Sequence, residues 1–333
     1  MEERRLLLAV ALSLVVLTAY QFLFPGAPPP RRPVAGASPS ASATPPALPP
    51  GVPVAGPASP AAVPSPTPPP VVAAVADEKE RRVEVLGEDF ELAFSNRGAR
   101  LHSWRLTMYR DARDRPEEMV MALPGQGRPL DLETGDAALD ARLREALFRP
   151  SRESVDARTP GATLDFLWAE GDVEAKKTLA FASGLVHVSA EVRRAGQPLP
   201  VRILWGPGVG NPTADERAVQ GYHEPQAVFE TAEREVERVP PEKIGPVRSL
   251  PAVYWAGVES QYFTALIVPP TAPAAAEVRS VSVGTEAEKR SVPIVALPLA
   301  PGTSAGLYVG PKDHPRLARL GHRLVDVVPV GDW

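Results

Sequence analysis

Between Pro25 and Ala76 the chain carries 18 of its 41 prolines, and almost every other residue there is Ala, Ser, Val, Thr or Gly. Such a stretch cannot bury enough apolar surface to fold, and proline biases it towards extended polyproline II. Fully extended, roughly 50 residues at ~3.1 Å each reach ~160 Å. The chain is thereby divided into three: residues 1–24, a spacer over residues 25–76, and a segment over residues 77–333 long enough for a substantial core in one domain. The spacer reads as a tether that holds this last segment away from whatever residues 1–24 are fixed to. A PxxP ligand for an SH3-like module is the other reading, and nothing else in the sequence implies such a partner.

Residues 1–24 supply the fixed point. Leu6 to Phe24 is 19 residues without a charge. As a helix it spans about 28 Å, close to the ~30 Å hydrocarbon core of a bilayer. Tyr20, Phe22 and Phe24 cluster at its far end, where aromatic side chains favour the membrane interface. The apolar run exceeds the usual core of a cleaved signal peptide, and Phe24-Pro25-Gly26 follows it in place of a small-x-small cleavage site. The segment is therefore expected to be an uncleaved transmembrane anchor. Arg31 and Arg32 nearly balance Arg4 and Arg5 across it, so charge alone gives a near tie on orientation. The short N-terminal tail with the bulk of the chain following is the ordinary signal-anchor layout, with the N-terminus in the cytoplasm.

Bulk chemistry excludes more than it assigns. Formal charge is −4, with acids and bases mixed along the chain, so no basic stripe of the kind nucleic acid demands is present. The chain has no cysteine, which rules out disulfides, thiolate catalysis and Cys-ligated zinc.

Beyond Asp77, short alternating runs recur. In Phe90–Phe94, Phe90, Leu92 and Phe94 share one face; in Leu185–Arg193, Val186, Val188, Ala190 and Val192 oppose His187, Ser189, Glu191 and Arg193. Period-two patterning marks half-buried strands. Further strands are expected at Val83–Leu86, Arg100–Leu106, Thr163–Trp168, Val173–Leu179, Val201–Trp205 and Ala252–Val258. The series continues with Phe263–Val268, Val278–Val283, Ile294–Leu297 and Ala305–Val309. Gly, Pro, Asn and Asp punctuate them. Helical signals are few: Ala137–Phe148, with Leu139, Leu143 and Leu147 at four-residue spacing, and His314–His322, where Asp313 can cap and Pro315 fits the first turn. Many strands and almost no helices predict a mainly β fold, an antiparallel sandwich.

No catalytic centre emerges. The five histidines, His102, His187, His223, His314 and His322, show no metal-ligand spacing, and His187 falls on the polar face of its strand. Trp205-Gly206-Pro207-Gly208-Val209-Gly210 lacks the Lys-Ser/Thr of a phosphate loop and any following helix, and reads as a turn. There is no Gly-x-Ser-x-Gly elbow. Glu117-Glu118 sits beside loop signals and reads as solvated surface. No catalytic, cofactor-binding or metal-binding residue is predicted, and no cofactor.

Four stretches taken together carry a resemblance. The start, Met1–Phe24, has a few polar residues, arginines, a Leu-rich run and an aromatic-Gln end. Val83–Tyr109 has an Asn-Arg-Gly turn after a hydrophobic strand. Trp255–Pro269 reads WAGVESQYFTALIVP. Leu307–Trp333 has a Tyr-Val-Gly-Pro strand, a short helix and a Gly-Asp-Trp end. In this order and behind that tether, the chain resembles the N-terminal portion of the YidC-type membrane protein insertases of Gram-negative bacteria. Within the resemblance, Gly98 provides a tight turn, Trp255, Tyr262 and Phe263 provide apolar area for core packing, and Gly310-Pro311 stops the last strand.

The resemblance implies a large periplasmic domain with a β-supersandwich akin to galactose mutarotase. It implies a protein of the bacterial inner membrane whose partners are the lipid bilayer, Sec translocon components and nascent membrane proteins. Insertion in that family takes place in a bundle of further transmembrane helices. No second run of about 20 apolar residues occurs in these 333 residues, so that activity is not assigned to residues here. The folded part is expected to act as a scaffold and docking module, and not as an enzyme. The alternative is a sugar-binding or epimerase-like enzyme on the same fold, which needs a His and a carboxylate converging in a cleft. His102, His187, His223 and Glu259 are its candidates.

Overall fold

The computed structural model describes residues 73–329, apart from 122, 124, 183 and 285–288. The expected anchor at Leu6–Phe24, the tether up to residue 72 and the terminal Trp333 lie outside the described residues. Among the described residues, no helix is long and apolar enough to cross a membrane.

The described chain is mainly β, as its alternation predicts. In the first half, β1 (Arg82–Leu86), β2 (Phe90–Ser95), β3 (Arg100–Arg110), β4 (Pro116–Glu118) and β5 (Leu132–Glu133) precede helix α1 (Ala137–Glu145). Then come β6 (Arg149–Pro150), β7 (Ser154–Asp156), β8 (Thr163–Glu170), β9 (Val173–Phe181), β10 (Val186–Arg194), β11 (Gln197–Pro198) and β12 (Val201–Trp205). The second half holds α2 (Ala214–Arg217), β13 (Gln226–Thr231), β14 (Val236–Val239), α3 (Pro241–Ile244), β15 (Arg248–Glu259) and β16 (Phe263–Val268). It closes with β17 (Ala274–Val283), β18 (Arg290–Leu299), β19 (Ala305–Pro311), α4 (His314–Leu320) and a 3-10 turn at Leu324–Val327.

Two sheets form. The smaller has the order β4-β3-β2-β1-β7, antiparallel except for β1 beside β7. The larger turns on β15. The N-terminal part of β15 pairs with β17 and its C-terminal part with β16, while β13 lies along Val253–Glu259. Because β17 leads to β18 and β12, and β16 leads to β19, β10, β9 and β8, the sheet forks at β15. The fork coincides with a register shift between Leu250 and Val253, where a bulge bends the strand. Gly257 sits where the backbones crowd: a Cβ there would stand 2.0 Å from the Ala265 carbonyl oxygen.

The sheets enclose one large core. Val83, Val85, Leu92, Leu101 and Leu106 from the smaller sheet face Phe166, Leu179, Val188, Val258 and Leu297 from the larger. Phe94 meets Phe166 at 5.7 Å, and Trp104 meets the edge of Trp205 at 5.9 Å. Such pairs contribute about 0.5–1.5 kcal/mol each beyond burial of area. Lys177 is in phase with Val173, Ala175, Leu179 and Phe181, so alternation carries it into this core with no exposure. Its ammonium donates to the carbonyls of Ala99 at 2.7 Å and Leu130 at 2.5 Å, and burial pushes its pKa down to about 8.

Two expectations change. The Ala137–Phe148 helix stops at Glu145, because Leu147 bridges Arg97 and the Phe148 amide donates to the Asn96 carbonyl. Those tertiary bonds replace the last helical ones. Gly98 makes the turn there at φ +68°, and a Cβ would meet the Arg144 carbonyl at 2.6 Å. Glu117 and Glu118 are not solvated surface but half-buried strand residues of β4. Glu118 accepts from the Ser103 hydroxyl and from the amides of Trp104 at 2.8 Å and Val120 at 3.0 Å. Burial, then Glu216, Asp111 and Glu118, push Glu117 up to about 7.

Two outcomes are expected. A raised carboxyl pKa means that the folded state holds a proton which the unfolded chain has released, so stability falls as pH rises from about 4.5 to about 7. Glu117→Gln will therefore raise the thermal midpoint at pH 8 by roughly 2–4 °C and leave it nearly unchanged at pH 4, as measured by circular dichroism. Gly257→Ala will lower stability at every pH by about 2 kcal/mol, in the range of overpacking; denaturant unfolding unchanged by this substitution would show that β15 and β16 can part.

Candidate functional site: a strap across the larger sheet

After β19 the chain turns back and lies on the outer face of β15, β16 and β19. Asp313 caps α4 by accepting from the Arg316 amide at 2.7 Å, and Pro315 takes the first turn where no amide donor is missed. Gly321 at φ +73° ends the helix one residue before the expected His322, and His322 and Arg323 continue with positive φ into the 3-10 turn. Leu317, Leu324 and Val327 are fully buried against Val228, Trp255, Leu266, Val268 and Tyr308. This is a second core, separate from the one between the sheets.

Two buried carboxylates fix the strap. Glu259, 2% exposed, accepts from Gln226 at 2.8 Å and from the Arg238 guanidinium at 2.9 Å, with the Lys312 ammonium at 3.6 Å. Arg238 also donates to the Val327 carbonyl at 2.6 Å, so one guanidinium joins β14, β15 and the end of the strap. Burial pushes the Lys312 pKa down, opposed by Glu259. Glu230, with no exposure, sits between Arg234 at 3.4 Å and Arg323 of the strap at 3.3 Å. Burial pushes its carboxyl pKa up, and the two arginines pull the other way. Arg234 in turn lies over the Tyr254 ring at 3.1 Å. Arg316 pairs with Asp89 of the smaller sheet's β1–β2 turn.

The residues considered for epimerase chemistry are not brought together here. Glu259 is engaged by Gln226, Arg238 and Lys312, and no imidazole is among these partners. His102 projects from β3, His187 lies on β10 opposite Gly306, and His223 is exposed in the loop before β13. Among the described residues, no three His, Asp or Glu side chains are placed to hold a metal ion. The arrangement does mechanical chemistry: it binds one segment of chain to a sheet through apolar contact and buried charge. Glu230 and Arg238 were missed by sequence reading because the β13–β14 hairpin was not predicted; the run that follows Glu230, TAEREVERV, is dominated by Glu and Arg.

Glu259→Leu will leave Arg238 and Lys312 without their carboxylate. Removing one partner of a buried pair costs about 3–5 kcal/mol, here about 2–3 because Arg238 is part-exposed. Amide exchange over residues 314–327 will speed up roughly 30- to 100-fold while β9 and β10 keep their protection. Uniform loss of protection, or none, would mean that Glu259 does not hold the strap.

The family model of the YidC periplasmic domain matches residues 82–333. The chain is 25% identical over 351 residues to the membrane protein insertase YidC of Syntrophus aciditrophicus, covering 99% of this chain and 63% of that protein. It is 29% identical over 353 residues to the membrane protein insertase YidC of Geobacter metallireducens, covering 99% and 61%. The chain thus spans a little over three-fifths of the length of the curated relatives it matches. Among solved structures it is similar to a galactose mutarotase related enzyme from Lactobacillus acidophilus, with a TM-score of 0.42 and 10% identity, covering 69% of this chain and 97% of that chain. A galactose mutarotase-like protein from Lactobacillus casei gives 0.37 and 12%, covering 69% and 99%. With the family model matching from β1 through the strap, the chain belongs to the YidC periplasmic domain family.

Proposed function

We propose that this chain is the anchored, periplasm-facing part of a membrane protein insertase of the bacterial inner membrane, assisting insertion as a scaffold and docking module. The observation that carries the reading is the similarity to two membrane protein insertases over 99% of the chain, which takes in the residues before the matched domain. The sequence adds the order of parts: an apolar anchor over residues 1–24, a proline-rich tether over residues 25–76, and a folded domain over residues 77–333. The partners in this reading are the lipid bilayer, nascent membrane proteins and components of the Sec translocon. The role is non-enzymatic and takes no cofactor. What supports that is Glu259: its carboxylate accepts from Arg238 and faces Lys312, so the candidate acid of an epimerase is paired with cations that fix the strap. A docking module needs a rigid body, and the strap closes the outer face of β15, β16 and β19 that would otherwise expose Trp255, Leu266 and Val268.

The topology is tested by expressing the full chain in a Gram-negative host. It is expected to co-fractionate with inner membranes, to survive added protease in intact cells and to be digested down to the anchor in spheroplasts. Photo-crosslinkers on the exposed strands should capture newly made membrane proteins during their insertion. A domain protected in spheroplasts, or recovered without membranes, would sink the reading.

A further inference from the structure

Tyr262 departs from its expected role. Sequence reading groups it with Trp255 and Phe263 as core, yet Trp255 is fully buried while Tyr262 is 67% exposed at the tip of the β15–β16 turn. It is not alone. Met108 is 75% exposed and Tyr109 37% exposed at the end of β3, and the Tyr109 ring meets the Phe263 ring edge-on at 5.6 Å. The far end of β3 in the smaller sheet and the start of β16 in the larger one therefore meet through the Tyr109–Phe263 contact, with Met108 and Tyr262 exposed one residue to either side of it in sequence. Singly exposed apolar residues need no explanation, but a cluster of them on a surface does.

Its chemistry is particular. Two tyrosines and a methionine, with no aliphatic residue exposed among them, are side chains that carry an apolar body, and the tyrosines add a polar tip suited to a wet boundary. Beside them the β3–β4 turn holds three arginines against two aspartates. Asp111 accepts from the Arg115 guanidinium at 2.7 Å and from the backbone amides of Arg113 and Arg115. Asp114 remains as the one counter-charge in the turn. Arg110 and Arg113 are exposed and make no ion pair with another described residue. The patch is also fastened to the strap, since the Lys312 amide donates to the Tyr262 carbonyl at 2.8 Å.

We propose that Met108, Tyr109 and Tyr262, flanked by Arg110 and Arg113, form a lipid contact that rests the domain on the headgroup region of the bilayer surface. The proposal rests on reading Leu6–Phe24 as an anchor. Three side chains bind a free bilayer only weakly, but a flexible spacer of roughly 50 residues, which lets the domain stand off, also caps its distance and keeps them at about millimolar effective concentration. Aromatic rings at the interface and arginines facing anionic headgroups then act together, each arginine adding roughly fivefold to the bound population.

The chain has no cysteine, so single-cysteine probes are clean. The full chain carrying Tyr262→Cys or, as a reference, Val247→Cys is spin-labelled and reconstituted into phosphatidylcholine vesicles with and without phosphatidylglycerol. Val247 is 54% exposed and lies outside the patch. The expected result is that the label at 262 gains oxygen collisions and loses collisions with a water-soluble nickel chelate, while the label at 247 stays water-accessible. Phosphatidylglycerol should deepen the effect, and Arg110→Gln with Arg113→Gln should abolish that dependence. A water-exposed label at 262 in a chain that floats with the vesicles would overturn the lipid contact and leave the anchor standing. A chain that does not float would overturn both. Spin–spin broadening at 262 without any change in depth would assign the patch to a second copy and likewise overturn the proposal.

Discussion

The fold depends on one strand being asked to do three things. β15 is twelve residues long, and it pairs with β13 on one side and with β16 and β17 in succession on the other. A single straight register cannot serve both β16 and β17, because each leads to a different arm of the sheet. The bulge between Leu250 and Val253 lets the strand bend, and Gly257 lets β16 approach closely where the bend leaves no room for a side chain. Both arms then share one core with the smaller sheet, to which α1 adds Leu139 and Leu143 and α3 adds Ile244.

The same strand explains why charge is buried on the outside. Forking leaves the outer face of β15, β16 and β19 apolar, with Trp255 at its centre, and the strap must cover it. Hydrophobic contact alone is non-directional and would let a seven-residue helix slide. Glu259 and Glu230 give it a position. Each is an expensive group to bury, each is matched by cations from the sheet, and each also meets one cation from the chain that follows β19: Lys312 at its start, Arg323 further on. Such pairs add less stability than their short distances suggest; what they add is a preference for one arrangement of the strap on the sheet.

Much of this was legible in the sequence. Apolar runs and period-two alternation located twelve of the strands to within a few residues at most ends, and β12 and β16 to the residue, because both are short, nearly continuous apolar runs. The strap helix was legible from Asp313 and Pro315. The short strands β4, β5, β6, β7 and β11 were not, since two or three residues carry no period. The β13–β14 hairpin was missed for a more instructive reason. Its run of Glu and Arg has the composition of a solvated turn, and Glu233, Arg234, Glu235 and Glu237 are indeed exposed; only Glu230, just before the run, is fully buried, and its pairing with Arg234 and Arg323 is tertiary. Tyr262 erred in the opposite sense, since an aromatic beside Phe263 suggests core, while it falls in the β15–β16 turn, just before β16 begins. Lys177 was legible in phase though not in role: a lysine in step with Val173, Ala175 and Leu179 must either break the strand or go inside.

The Arg238 bond to the Val327 carbonyl also decides how the domain meets mechanical load. A pull on the backbone beyond Val327 reaches Arg238 before it reaches α4, and Arg238 passes it to Glu259. The force then enters the longest strand, paired along both its edges, in place of a helix end that would peel one turn at a time. Tension from a neighbouring moving part would be spread over the whole sheet, so the domain would shift as one stiff body and transmit displacement without being unravelled by it.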